Sequence, residues 1–282
     1  MDNSDDLESL MTGIYGSAVP CLCTYPNEVT NGFQVAQIAT TLRNGKGNHF
    51  PSSNQHTTFS KQTLYFCSTT SGRGYNHTYN YFDPDNFIGL SAVLYSGDPY
   101  LQNQARMVIE RTGSFIKPEN GQLPHHFVGV KPFYVALSGE TQTGPNVFWV
   151  KTALRYAAVT GDVAWLQSYM PTLRNASSFV FDLIDPQMNL IFAPGSLMID
   201  VFIRNNYTTD SNAMVVGLLR DFAGAERLLG NTDRAAELEG TAERVTAAIN
   251  KYLWAGDAAG ADHYITQLNL DGSTRDFVDY GE

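Results

Sequence analysis

One carboxylate stands where carboxylates are costly. Asp200 lies within the apolar run Leu197-Met-Ile-Asp-Val-Phe-Ile203, ahead of the polar stretch Arg204-Asn-Asn-Tyr-Thr-Thr-Asp210-Ser-Asn212. Apolar surroundings disfavour the charged form of an acid, so it must be paired or stay protonated. A carboxyl kept protonated can donate to a leaving oxygen as a general acid. The structural alternative is that Asp200 caps a backbone turn or pairs with Arg204. Asp85, in Phe82-Asp-Pro-Asp85-Asn-Phe, opens a helical run; there an acid serves equally as a first-turn cap or as a ligand-holding carboxylate. Glu140 stands in a long loop, either as a substitute carboxylate or simply solvated, and Glu282, the last residue, is given no role. His125-His126 resembles a metal pair only superficially, because no third ligand has suitable spacing. Loop histidines, no catalytic metal and no cofactor are expected. The acidic stretches also lack the alternating oxygen ligands of a calcium loop.

Helices must position these groups. Phe87, Leu90, Val93 and Leu94 have helical spacing, stopping at Ser96-Gly97-Asp98, and Tyr100 to Ile116 reads as a second helix. The design returns with Val147, Val150, Leu154 and Ala157, stopping at Thr160-Gly161-Asp162; its partner runs from Trp165 through Leu173, Phe179 and Leu183. Pro171 is expected to break or kink that partner. It returns again with Val215, Leu218, Leu219 and Phe222, stopping at Leu229-Gly230-Asn231, with Leu238, Val245, Ile249 and Leu253 on the partner. Gly97, Gly161 and Gly230 are spaced by 64 and 69 residues. A glycine ending one helix, followed by Asp or Asn opening the next, is the expected turn of a helical hairpin. A hairpin recurring about every 65 residues implies an array or ring.

Turns inside the hairpins are short, whereas the connections between them, about 117–143 and 185–208, are long and rich in Pro, Gly, aromatics and amides. Long loops in a compact domain usually carry function. Side-by-side hairpins would gather them at one end, around a common hollow. Residues 1–80 are rich in Ser, Thr, Asn and Gly and read as an irregular lead-in. It holds β-leaning pieces such as Gln62–Cys67 and a few strands or a short helix near Gly32–Leu42.

Bulk properties exclude some classes. The chain has 282 residues, 43% of them hydrophobic and only 16% charged, so it can bury a substantial core. A net charge of −10 argues against nucleic acid and fits neutral ligands. No apolar run reaches membrane-span length. Cys21, Cys23 and Cys67 give no disulfide framework, although a bridge from Cys67 to one of the others stays open. The acidic N-terminus does not read as a signal peptide, and sequons at Asn76, Asn175 and Asn206 allow a secretory route without establishing one.

Four stretches resemble the six-hairpin glycosidases, in particular the glucosidase part of glycogen-debranching enzymes, the mannosyl-oligosaccharide glucosidases and the trehalases. They are Phe82-Asp-Pro-Asp85-Asn-Phe-Ile-Gly-Leu; Gly121-Gln-Leu-Pro124; Trp149 to Leu154 with Thr160-Gly-Asp162 and Tyr169-Met-Pro-Thr-Leu173; and Leu197-Met-Ile-Asp200 with Asp210-Ser-Asn212-Ala-Met. The resemblance implies an all-α fold, an (α/α)6 barrel of helical hairpins spanning 81–282 behind the 1–80 lead-in. It implies hydrolysis of an oligosaccharide, α-glucosidic in the nearest relatives, with inversion. One protonated carboxyl would donate while another activates water, roughly 6.5–9.5 Å away. Asp200 falls on the general acid, and Asp85 on a carboxylate of the innermost sugar subsite. Phe82, Trp149, Arg204, Asp210 and Asn212 fall on or beside pocket positions; Trp149, on or close to the apolar stripe, serves equally in core packing, and Arg204 equally binds Asp200 or a substrate hydroxyl or lies on the surface. The Asp-Pro-Asp85 motif lacks the usual Gly-Arg, and Gly144-Pro-Asn146 stands where relatives often carry Asp. Three hairpins are legible where the ring has six, and Asp271 to Tyr280 resembles the lead into a fourth. The general base is therefore expected outside this chain, on a C-terminal half or a second chain that completes the barrel. The competing class is non-catalytic: a sugar-binding domain or a helical-repeat interaction module.

Overall fold

The computed structural model of the protein describes residues 21–24, 28–29, 65–67, 80–82, 87, 90, 91, 93–128, 131–136, 139–198, 204–256 and 263–276, the first four stretches by backbone alone. The chain divides into two compact units: Met1–Phe115 with His126–Phe133 and Arg155–Asp162, and Ile116–His125 with Tyr134–Leu154 and Val163–Glu282.

In the first unit, strands β1 (Cys21–Thr24), β2 (Glu28–Val29) and β3 (Tyr65–Cys67) form an antiparallel sheet in the order β2-β1-β3, with Cys21 opposite Cys67. The piece read as β-leaning supplies β3; the short helix expected near Gly32–Leu42 lies outside the described residues. A second sheet is the meander β4 (Asn80–Phe82), β5 (His126–Val128) and β6 (Lys131–Phe133). Helical residues follow at 87, 90, 91 and 93–95, burying Leu90, Val93 and Leu94 as their spacing predicts. Gly97 ends that turn at φ 70°. Asp98 then caps α1 (Pro99–Gly113), accepting from the N–H groups of Tyr100 at 2.8 Å and Leu101 at 3.2 Å, and Pro99 starts the helix where an N–H is not needed. Arg155 donates to Ser91 Oγ and lies 4.8 Å from the Phe87 ring centre, while Asp162 receives the Tyr156 hydroxyl at 3.1 Å and lies 3.6 Å from Arg106.

The second unit is built on helical hairpins. Helix α2 (Gly144–Thr160) contributes its residues up to Leu154, which meet α3 (Val163–Phe181) through the Asn146–Ala176 hydrogen bond and the Trp149 and Tyr169 rings; α4 (Thr209–Leu228) packs along α5 (Thr232–Tyr252). Val215, Leu218, Leu219 and Phe222 of α4 are buried, as are Leu238, Val245 and Ile249 of α5, which is the pattern their 3.6-residue spacing predicts. The hinges Gly161 and Gly230 have φ 70° and 85°, the left-handed conformation that ends helices and favours glycine.

Two residues depart from their local signals for physical reasons. Of the break or kink expected at Pro171, the break does not occur: α3 runs through it. Pro171 and Gln167, whose carbonyl loses its helical donor, are both exposed and open to water, while buried Leu166, Met170, Leu173 and Ala176 hold the helix on either side. Asn231 does not cap α5 with its side chain. Its Nδ2 instead donates to Glu226 Oε2 at 2.8 Å, and its backbone N–H to the Glu226 carbonyl at 2.9 Å. Glu226 is fully buried and also takes two bonds from Arg174, Nε to Oε1 at 2.8 Å and Nη2 to Oε2 at 2.7 Å. Those Arg174 bonds, against the cost of burial, hold its pKa below the usual carboxylate value. A buried carboxylate makes a stronger claim on the amide than an exposed helix end does.

Beyond α5 the chain forms β8 (Gln267–Leu268) and β9 (Thr274–Arg275), which pair antiparallel with each other and, through β8, with β7 (Tyr207–Thr208). Asp271 accepts from the Ser273 N–H at 2.9 Å, and Gly272 takes φ 83°, so the Asp-Gly pair makes a hairpin turn. Part of the stretch read as leading into a fourth hairpin is thus a strand of this sheet.

Candidate functional site

In the second unit the ends of the two long connections are fastened to the starts of α2 and α4 by a repeated device. Asn146, in the first turn of α2, is fully buried. Its Oδ1 accepts the Leu123 N–H at 3.0 Å, and its Nδ2 donates to the Gly121 and Ala176 carbonyls, both at 2.8 Å. Asn212, 66 residues later in the first turn of α4, does the same. Its Oδ1 accepts the Ile191 N–H at 2.7 Å, and its Nδ2 donates to Thr208 O at 2.7 Å and Ile191 O at 3.4 Å. Each amide satisfies backbone groups that a loop running under a helix would otherwise bury unpaired. Just ahead of the two helices, Thr143 and Thr208 are also fully buried.

The connections then lock onto each other. A Cβ added to Gly144 would lie 1.8 Å from the Leu197 carbonyl oxygen, and one added to Gly195 would lie 2.6 Å from Thr141 O and 2.8 Å from Glu140 Cβ. Only glycine permits either approach. Ala193 and Asn206 exchange both backbone bonds, at 2.7 and 3.0 Å, tying together the two ends of a stretch that includes Asp200 in sequence. At its base, Asp185 accepts from the N–H groups of Gln187 and Met188 at 2.7 and 3.0 Å and from the Tyr207 hydroxyl at 2.7 Å. The Met188 N–H, the Tyr207 hydroxyl and the Gln187 N–H lower the Asp185 pKa, while burial and Asp185 push the Tyr207 phenol up to about 12.

Glu140 sits in the middle of this contact. The chain turns tightly before it, Ala136 N–H donating to Glu140 O at 2.8 Å. Its Oε1 lies 3.5 Å from Asn205 Nδ2; its Oε2 is shut off from solvent and has no hydrogen-bond partner among the described residues. Burial raises the carboxyl pKa, opposed by a hydrogen bond from the Arg204 backbone N–H.

The residues singled out in the sequence fall in several places. Asp200 and Asp85 lie outside the described residues. Phe82 is in β4, in register with His126 of β5, whose ring stacks on Phe133 at 4.6 Å, so His126 is a strand residue and not a loop one. Trp149 is buried in the second unit, 6.0 Å from the Tyr169 ring, which in turn stacks on Trp165 at 4.9 Å. Arg204 is buried beside Glu140, reaching it through its backbone. Asp210 is half-buried in the first turn of α4, and Asn212 is the clip just described. The Asn146 role was missed, although its 66-residue offset from Asn212 matches the hairpin repeat and could have revealed it. Among the described residues no group of three or more His, Cys, Asp or Glu side chains is arranged to hold a metal ion.

The sequence matches no protein-family model and no curated protein. Solved structures do resemble it. A GH78 family rhamnosidase of Bacillus sp. GL1 aligns with a TM-score of 0.50 at 21% identity over 66% of this chain, which spans about a fifth, 19%, of that longer protein. An unsaturated glucuronyl hydrolase from Bacillus sp. GL1, responsible for degradation of glycosaminoglycan, aligns with a TM-score of 0.53 at 10% identity, covering 93% of this chain and 86% of that one. Such neighbours are glycoside hydrolases with helical toroid folds. The fold class is theirs: all-α, with helical hairpins of the (α/α)6 toroid, and a β-containing N-terminal segment.

Proposed function

We propose that the chain belongs to a glycoside hydrolase that cleaves oligosaccharides, with Asp200 as the general acid. The observation that carries this reading is the pair of long connections, interlocked through Gly144, Gly195 and Glu140 at the starts of α2 and α4, on a toroid fold whose solved neighbours are glycoside hydrolases. This closely built contact holds Leu197 and Arg204, the described residues on either side of the stretch that bears Asp200 in sequence. The finer reading follows the motif resemblance: an α-glucosidic substrate, as in the glycogen-debranching and mannosyl-oligosaccharide glucosidases, cleaved with inversion. The base would come from a later part of the protein or a second chain. Within the second unit, Arg204 and Asp210 are proposed to hold the sugar. Trp149 and Asn212, given their burial, support the pocket wall from behind.

The test is monosaccharide release by the longest natural form of the protein from a panel of α- and β-linked oligosaccharides, with the anomer of the fresh product followed by NMR. Release of glucose from an α-linked member as the β-anomer is the expected result. Retention of configuration overturns the inverting mechanism. Binding of panel members without release turns the reading to a carbohydrate-binding domain.

A further inference from the structure

We propose that Glu140, as a neutral carboxylic acid, is a positioning latch that fastens the Arg204–Asn206 segment and Gly195 to the loop ahead of α2. Its effect on catalysis rests on the hydrolase reading above; the latch itself does not.

The geometry assigns the role. Glu140 is the acid at the crossing of the two connections. Gly195 packs on it so closely that an added Cβ would lie 3.2 Å from Oε2 and 2.8 Å from Cβ. That oxygen is enclosed and receives no donor among the described residues. The other oxygen faces the Asn205 amide at 3.5 Å, and the Arg204 N–H donates to the carboxyl group. A negative charge in such a place leaves the enclosed oxygen without a hydrogen-bond donor among the described residues, whereas the neutral acid keeps the Asn205 and Arg204 contacts and places no charge in the enclosure. Among the described residues the charged groups on the facing segments are Arg204, whose backbone N–H bonds the carboxyl, and Asp210 in the first turn of α4. The loop before α2 presents Glu140 alone among its described residues 134–136 and 139–143. Because Ala193 and Asn206 are bonded to each other, whatever holds residues 204–206 also fixes where the intervening stretch leaves and re-enters the fold. Asp200 belongs to that stretch. Glu140 would therefore act through the loop, without touching the substrate.

The sign of the pH dependence follows. A carboxyl whose pKa is raised on folding contributes stability that is full below its unfolded value, about 4.3, and is lost as pH rises through the folded value. Glutamine imitates the neutral acid at every pH. The experiment compares wild type, Glu140→Gln and Glu140→Ala in the natural full-length protein, by thermal unfolding from pH 4 to 8 and by sugar release. Between pH 5 and 8 the wild-type Tm is expected to fall relative to that of Glu140→Gln, with the two converging at pH 4. Alanine is expected to lower kcat at least tenfold with little change in KM, and glutamine to restore most of that loss. Parallel Tm profiles for wild type and Glu140→Gln overturn the latch, even if the enzyme is active. Equal kcat for wild type and Glu140→Ala overturns the positioning role. If no form releases sugar, the hydrolase reading fails, while the Tm comparison still decides the latch.

Discussion

Removing the Asn146 amide tests how the connection ahead of α2 is held. In Asn146→Ala three backbone groups lose their partner at a fully buried position. The Ala176 carbonyl lies inside α3 and keeps its helical donor, so its loss is small. The Leu123 N–H and the Gly121 carbonyl belong to the loop. An orphaned buried group costs about 1–3 kcal/mol, the N–H more than a carbonyl. Together with the lost contacts of the side chain, the total is about 3–4 kcal/mol, a large share of the ~5–15 kcal/mol that holds a typical domain. In a chain of this size that corresponds to a fall in Tm of roughly 10 °C. Asn146→Asp is the sharper variant. One carboxyl oxygen still accepts from Leu123, but the other faces two carbonyls that were served by N–H groups. The acid must take up a proton to donate to either, so its folded pKa rises and its stability is lost as pH increases through that value. Denaturant unfolding at pH 4.5 and pH 8 is the assay. Asn146→Asp is expected to match or fall below Asn146→Ala at pH 8 and to recover about 1–2 kcal/mol relative to it at pH 4.5. An alanine variant within 1 kcal/mol of wild type, or an aspartate variant that weakens relative to alanine on acidification, would refute the clip.

Gly144→Ala should be worse than an ordinary first-turn alanine, since its Cβ would meet the Leu197 carbonyl oxygen at 1.8 Å. A loss of at least about 2 kcal/mol in unfolding free energy, with sugar release reduced further than Tm predicts, is expected; a neutral variant contradicts the interlock. Arg174→Met leaves Glu226 buried with only the Asn231 side-chain amide as donor. Because the arginine is half exposed, the loss is set at about 2–3 kcal/mol at pH 7, below the range for a fully buried pair. Glu226 has a lowered pKa in the fold, so its stabilisation is present above the unfolded value and is lost as pH falls through the folded one. The deficit of Arg174→Met should therefore shrink in unfolding curves taken below about pH 4.

The hairpins were legible because their signals are local. Val215, Leu218, Leu219 and Phe222 repeat on one face, and Gly230 ends the helix in the conformation glycine favours. The same holds for Asp98, whose capping role needs only the next three residues. What could not be read depends on partners far along the chain. Asn231 has the type and place of a cap, and what redirects it is Glu226, itself buried and paired with Arg174 52 residues away. Pro171 reads as a break or a kink because sequence does not show that it and Gln167, whose carbonyl it strands, are both exposed on α3. Glu140 read as an ordinary loop acid; its enclosure comes from Gly195, 55 residues later. Trp149, on or close to the apolar stripe, reads equally as core packing or as a sugar platform, and it is buried, 6.0 Å from the Tyr169 ring.

The most direct measurement compares sugar release by the natural full-length protein and its Asp200→Asn variant on the best substrate of the panel, with circular dichroism and Tm confirming that both are folded. Removing a general acid costs about 10²–10⁴-fold in rate. A fall of that size in kcat with the fold intact is the predicted result. Release undiminished in a folded Asp200→Asn protein would contradict the assignment of the acid, and no release from either folded protein would contradict the hydrolase reading itself.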